Sequence, residues 1–346
     1  MWQLYKANKR GSKIPWGTRR TMLKRALLAI AFAVAGSWNG DFQSAAEDQS
    51  AGPYHPYCVD AFDALPLDEN DDFIETDDNG ETRLAPSLEK HFSKHRREYI
   101  AYDADCFSPW DDLRQPTKNF IAGSLGVLFT DDSATPFCAG FRIANDILVT
   151  AGHCAQQAKH SAFRLVGYPD RSIRVLRLLT KTSASKDVSD FNDFALLKID
   201  DPKLPGYWQP KDLSRDAASH QAVIVVALSI VARQLIVGTA IDDWRQAVRF
   251  SRANSAQLWP GSEVDTNLAR DADVSECLYH KAPTFPGMSG APIIAIHRPT
   301  SVTSEPTFTV IGIHLRNGVA RSDDCGSPRD FNVGIKLPLT VIRSSH

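Results

Sequence analysis

The chain has 346 residues, of which 43% are hydrophobic and 23% charged, with a formal net charge of −2 at pH 7. These values fit a globular protein with one large core or two modest ones and exclude a low-complexity or wholly disordered chain. No basic stripe with interleaved aromatic residues is present, which argues against a nucleic-acid partner; the 20 prolines and 20 glycines, spread through short segments, favour many strands and turns over long helices.

The first element is a targeting segment. Residues 1–25 hold eight Lys or Arg and no acid, and Ala26–Ala35 is apolar. That run is too short to span a bilayer, which takes about 20 apolar residues. Thr18-Arg19-Arg20-Thr21-Met22-Leu23-Lys24 resembles the twin-arginine export signal of bacteria. The alternatives are an ordinary Sec signal or an uncleaved anchor. We take residues 1–46 as an export signal, with cleavage after Ala33-Val34-Ala35 or near Ser44-Ala45-Ala46. The expectation is a periplasmic or secreted bacterial protein with no stable membrane span after export. Six cysteines, an even count, suit an oxidising compartment.

An acidic extension follows, assigned to residues 47–116. Residues 47–112 carry 18 acids against 5 Lys or Arg, a net charge of −13, whereas residues 113–346 carry +4. Opposite charges on one chain suggest that the extension folds back over the later domain, as a propeptide or a permanent clamp. Leu84–Tyr99 can form a helix opened by Ser87. His91 and His95 would share one face of it, but no third zinc ligand is evident, so a solvated face is the better reading.

From Asn119 the pattern turns to β. Phe120–Phe129, Phe141–Thr150, Phe163–Leu179, Ala195–Ile199, Ala222–Ala227, Leu235–Ala240, Ala247–Ser251 and Ser255–Trp259 read as strands. Pro292–Ile296 and Phe308–His314 follow as a hairpin, then Gly334–Leu337 as a last strand and Leu339–Ser344 as a short closing helix. Short strands at this spacing imply an all-β sandwich or barrel.

Three segments within that region carry chemistry. In Leu148-Val149-Thr150-Ala151-Gly152-His153-Cys154 an apolar strand runs into a small-residue turn that delivers a histidine. Asp193 directly precedes the apolar run Phe194-Ala195-Leu196-Leu197; Asp190, three residues earlier, competes with it but lacks that anchor. Ser289 sits in Pro286-Gly287-Met288-Ser289-Gly290-Ala291-Pro292. A serine hydroxyl is a weak nucleophile, so an imidazole must take its proton, and a carboxylate must fix the imidazole tautomer. A developing oxyanion needs preorganised donors, and Gly287 permits a turn whose amide, with that of Ser289, can face it.

The three segments, in the order His, Asp, Ser, resemble those of the trypsin-like (chymotrypsin-fold) serine proteases. The resemblance covers roughly residues 117–346. It implies two packed six-stranded antiparallel barrels with His153 and Asp193 from the first and Ser289 from the second. It also implies a Cys138–Cys154 disulfide beside the histidine turn. Cys277 and Cys325, on either side of Ser289, can bridge the walls of a specificity pocket, which leaves Cys58 and Cys106 for the extension.

The chain departs from the trypsin pattern at Met288, where the family usually has an Asp that pairs with a newly cut N-terminus. Its pocket motifs are similar to those of bacterial glutamyl endopeptidases: Thr284 lies five residues before the nucleophile and His314 ends Gly312-Ile313-His314. Hydroxyl and imidazole both donate to a carboxylate, and Arg316 can assist from the rim. The resemblance thus implies an exported serine endopeptidase acting on peptide or protein substrates, with a possible preference for Glu before the scissile bond. It requires no cofactor or metal. The competing reading is a catalytically inactive protease-like binding or scaffolding protein.

Overall fold

The computed structural model describes residues 74–76, 82–84, 106–130, 136–158, 161–180, 189–228, 244–252, 256–264, 275–282, 287–298, 305–318, 324–328 and 331–344. All lie in one compact unit, Gln49–His346. The export segment, His91, His95, Cys58 and the strand expected at Leu235–Ala240 fall outside the described residues. So does the expected helix Leu84–Tyr99 except for Leu84 itself, which is in a strand.

A small hairpin, β1 (Ile74–Thr76) and β2 (Thr82–Leu84), comes first. The first barrel is then built from β4 (Leu125–Thr130), β5 (Pro136–Ala144), β6 (Ile147–Ala151), β7 (Ser161–Leu165), β8 (Tyr168–Leu178) and β9 (Phe194–Ile199). They close in the order β4-β5-β6-β9-β8-β7, all pairs antiparallel. Closure removes the exposed edges that an open sheet would leave. β6 is buried along its whole length, and β7 alternates between buried and half-buried residues. Phe141, Leu148, Phe163 and Leu196 are all fully buried.

The second barrel comprises β10 (Val223–Ile224), β13 (Leu258–Trp259), β14 (Cys277–His280), β15 (Pro292–His297), β16 (Thr307–Asn317) and β17 (Asn332–Lys336). Their order is β10-β15-β16-β17-β14-β13. The ring closes where Ala222 bridges Gln257, with Val223 N–H on the Ala256 carbonyl at 3.1 Å and Leu258 N–H on that of Gln221 at 3.0 Å. Two six-stranded antiparallel barrels and a short C-terminal helix, α3 (Leu339–Ser344), are therefore present as the sequence led us to expect. β14 escaped the sequence reading because all four of its residues are buried, so no alternation marks it.

Two elements lie where the sequence suggested otherwise. Phe120 belongs not to a strand but to a helix, α1 (Gln115–Ile121), whose Pro116 is tolerated in the first turn where the N–H has no helical partner. β3 (Phe107–Pro109), assigned above to the extension, pairs antiparallel with β12 (Val248–Ser251), which pairs in turn with β11 (Val226–Leu228). Phe107 and Cys106 are buried, and the Trp110 ring meets that of Phe250 at 6.2 Å. Phe107–Pro109, at the end of the acidic segment, is thus held as a strand against β12. At three residues the strand was too short to read from the sequence.

Candidate active site

β6 delivers His153 into the site. At Ala151 the strand ends and a short helix, α2 (Gly152–Gln157), begins, so His153 occupies the second helical position. β9 runs antiparallel beside β6, with Ala151 opposite Phe194, which places Asp193 next to the histidine turn. Gly152 is required there: a Cβ on it would lie 2.9 Å from Asp193 Oδ1. Asp193 itself ends a tight helical turn, Asp190–Asn192, and is largely buried.

One carboxylate then holds the histidine twice. The His153 backbone N–H donates to Asp193 Oδ1 at 2.8 Å, and the ring Nδ1 lies 2.8 Å from Asp193 Oδ2. A carboxylate acceptor on Nδ1 keeps the proton there and leaves Nε2 as the basic nitrogen. The imidazole is substantially exposed.

Ser289 comes from the second barrel, and its carbonyl lies against Cys154, the neighbour of His153. The serine lies between β14 and β15 in a turn with two left-handed glycines, Gly287 at φ +97° and Gly290 at φ +86°. A Cβ on Gly290 would stand 2.3 Å from both the Ala139 carbonyl oxygen and Thr150 Oγ1. Glycine therefore lets the Ser289 turn press against the first barrel. The Ala139 N–H donates to the Ser289 carbonyl at 2.9 Å across that contact. The Ser289 hydroxyl donates to the Leu315 carbonyl at 3.0 Å. Leu315 falls at an irregularity in the β16–β17 pairing, which takes its peptide out of regular register. Met288 is buried beside this turn, and its carbonyl accepts the Ala291 N–H at 2.9 Å.

Cys138 and Cys154 are disulfide-bonded, with Cα atoms 6.2 Å apart, and Cys154 Sγ lies 3.6 Å from the Ser289 carbonyl oxygen. Cys277 and Cys325 are bonded as well, with Cα atoms 5.8 Å apart. Cys138, His153 and Cys154 place their donor atoms within 4.8 Å of one another. Both sulfurs are consumed by the disulfide, so this cluster offers a metal no thiolate.

The pocket residues fare differently from one another. Thr284 lies outside the described residues. His314 is buried on β16, its Nδ1 3.2 Å from Nε2 of His280, a residue that sequence reasoning missed. Burial pushes the His280 imidazole down to about 3 and holds His314 well below its usual range, with His280 adding to the effect. Both rings are therefore neutral at pH 7. His280 Nδ1 is buried without a hydrogen-bond partner among the described residues. An orphaned acceptor costs less than an orphaned N–H, so the His280 proton belongs on Nε2, donated to His314 Nδ1. The His314 proton then sits on its own Nε2.

Arg316 does not stand free at a rim. Its Nε and Nη2 donate to Asp190 Oδ1 and Oδ2 at 2.9 and 2.7 Å, and Nη2 also to the Gly326 carbonyl at 2.9 Å. Asp190, the aspartate set aside in favour of Asp193, thus has a partner of its own. The Tyr279 hydroxyl donates to the Cys325 carbonyl at 3.1 Å, and burial raises it to about 12.

A family model described as Trypsin matches residues 121–235, a span that includes His153 and Asp193 and ends before Ser289. No curated protein matches the chain in sequence. Among solved structures the chain is similar to neuropsin, a serine protease expressed in the limbic system of mouse brain. The identity is 17% and the TM-score 0.45, over 65% of this chain and 95% of that one. The Trypsin family model thus matches about a third of the chain, and the two paired six-stranded antiparallel barrels are the architecture of the chymotrypsin fold.

Proposed function

We propose that the protein is an exported serine endopeptidase with Ser289 as nucleophile, His153 as general base and acid, and Asp193 as the carboxylate that orients it. The observation that carries this reading is the double hold of Asp193 on the His153 backbone and ring, at 2.8 Å each. Ser289 Oγ attacks the scissile carbonyl carbon and its proton passes to His153 Nε2. The oxyanion is received by the amides of Gly287 and Ser289. His153 then gives the proton to the leaving amine as the C–N bond breaks, and an acyl-enzyme remains. Water repeats the sequence in reverse and releases the acid.

The substrate is a peptide or protein, and the reading adds a preference for Glu, with Asp second and Gln possible. The His314 Nε2–H and the Thr284 hydroxyl are the donors for that side chain; a pocket built around such donors rejects side chains that leave them unpaired. Arg316 is spoken for by Asp190 and drops out of the pocket. Residues 1–46 serve export and the acidic segment from residue 47 covers the domain, with Phe107–Pro109 kept as its fixed end. Two disulfides between described cysteines support maturation outside a reducing compartment. No helix among the described residues is long and apolar enough to cross a membrane.

The test is labelling with a fluorophosphonate probe, which phosphonylates an activated serine with loss of fluoride. Wild-type protein is expected to label and to cleave a Glu-containing peptide library, and Ser289→Ala to do neither. Wild-type cleavage by Ser289→Ala would refute the assignment. A folded protein that never labels would favour the inactive scaffold.

A further inference from the structure

Asp190 and Arg316 stand on different barrels, and neither takes part in the chemistry proposed above. Arg316 closes a two-pronged match of guanidinium to carboxylate, with side-chain exposures of only 14% for Arg316 and 4% for Asp190. Asp190 Oδ2 also receives the Cys325 N–H at 3.3 Å, and Arg316 also reaches the Gly326 carbonyl. A second link runs alongside: the Asp324 carboxylate accepts the Ser189 hydroxyl, and the Phe191 N–H at 3.2 Å.

Both partners lie a short step from a reacting group. The Asp193 N–H donates to the Asp190 carbonyl at 3.1 Å, which closes the turn that presents Asp193 to His153. Arg316 directly follows Leu315, whose carbonyl holds the Ser289 hydroxyl. His314, two residues before Arg316, takes the Gly290 N–H on its carbonyl at 2.8 Å. A continuous path therefore runs from Ser289 through Leu315, Arg316, Asp190 and Asp193 to His153.

We propose that Asp190 and Arg316 are positioning residues that register the His153–Asp193 half of the site against the Ser289 half. The proposal rests on the peptidase reading above. A buried ion pair adds little net stability over an apolar pair of the same size. What the guanidinium fork supplies is a fixed distance and angle between the two chains that bear it. Catalysis responds steeply to that: a misplacement of about 1 Å costs about a hundredfold in rate. The Ala139–Ser289 hydrogen bond fixes the nucleophile turn to the first barrel, and the Asp190–Arg316 pair fixes the aspartate turn to the second.

The experiment compares the full-length wild type with Asp190→Asn, Arg316→Lys and the double variant. Fluorophosphonate labelling rates and kcat and KM on one peptide are read per folded molecule. Asn keeps the shape of Asp, and Lys keeps the charge of Arg without its fork. Each single variant is expected to label about 10- to 100-fold more slowly, with kcat lowered in proportion and KM within about twofold. The double variant is expected to match the slower single variant, since the link can be broken only once. Wild-type labelling rates in the folded variants, full rescue by Lys, or a loss confined to KM would overturn the proposal. A wild-type crystal structure with a peptidyl phosphonate on Ser289 tests the pair without any variant. Arg316 is expected to stay on Asp190, and an Arg316 turned to the inhibitor would overturn the positioning role. Failure of the wild type to label would refute the peptidase reading itself, a result distinct from any variant-specific one.

Discussion

The Asp193 carboxylate takes both the backbone N–H and the ring Nδ1 of His153, each at 2.8 Å, so one side chain sets the position and the tautomer of the imidazole together. Asp193→Asn keeps the shape but presents an amide N–H to a ring that needs an acceptor. The expected result is a fall in kcat of about ten-thousand-fold with little change in KM. Steady-state kinetics on a peptide substrate, with circular dichroism to verify folding, is the check.

Gly290 is fixed by sterics. At φ +86°, with the Ala139 carbonyl and Thr150 Oγ1 each 2.3 Å from a notional Cβ, Gly290→Ala has no relaxed solution. It is expected to lose at least about 2 kcal/mol of stability and to displace Ser289. A lowered urea midpoint together with slowed probe labelling would establish both effects.

His280 makes the domain acid-sensitive. Its pKa falls from the usual 6.5 when unfolded to about 3 when folded, so between those values the unfolded chain binds the extra proton. Stability is therefore complete above pH 6.5 and is lost as the pH falls toward 3, by up to about 1.4 kcal/mol per pH unit for this proton. His314, depressed in the same direction, adds to it. Urea unfolding from pH 7 to pH 4 should show the decline, and His280→Gln should flatten it.

The Cys138–Cys154 bridge closes a short loop around the histidine strand. A Cys138→Ala/Cys154→Ala variant is expected to lose roughly 3 kcal/mol. Non-reducing peptide mapping of the purified protein should find Cys138 joined to Cys154 and Cys277 joined to Cys325. Free thiols at these positions would contradict the arrangement.

The strand β3 ties the end of the acidic segment to β12. Phe107 is 3% exposed and sits against β12, so Phe107→Ala is expected to cost roughly 3 kcal/mol. An equilibrium denaturation curve that superposes on the wild type would show that the segment is dispensable.

Much of this protein is legible in its sequence because the relevant signals are local. An apolar strand ending in Ala151-Gly152-His153 is local, as are an aspartate fused to the apolar run of β9 and a serine between two glycines. Short strands punctuated by turn residues gave the all-β class, since alternation and turn chemistry act over a few residues. What escaped was non-local or lacked alternation. β14 is buried on both faces, β3 is three residues long, and α1 was masked by the apolar run that follows it. The choice between Asp190 and Asp193 rested on one neighbouring strand; only the folded chain shows that Asp190 meets Arg316, 126 residues away. His280 became visible only when strand pairing set β14 two strands from β16, and burial then determined its charge. Residue types and their local spacing are written along the chain, whereas ion-pair partners and the charge of a buried histidine depend on packing, which brings together groups whose separation in sequence carries no signature.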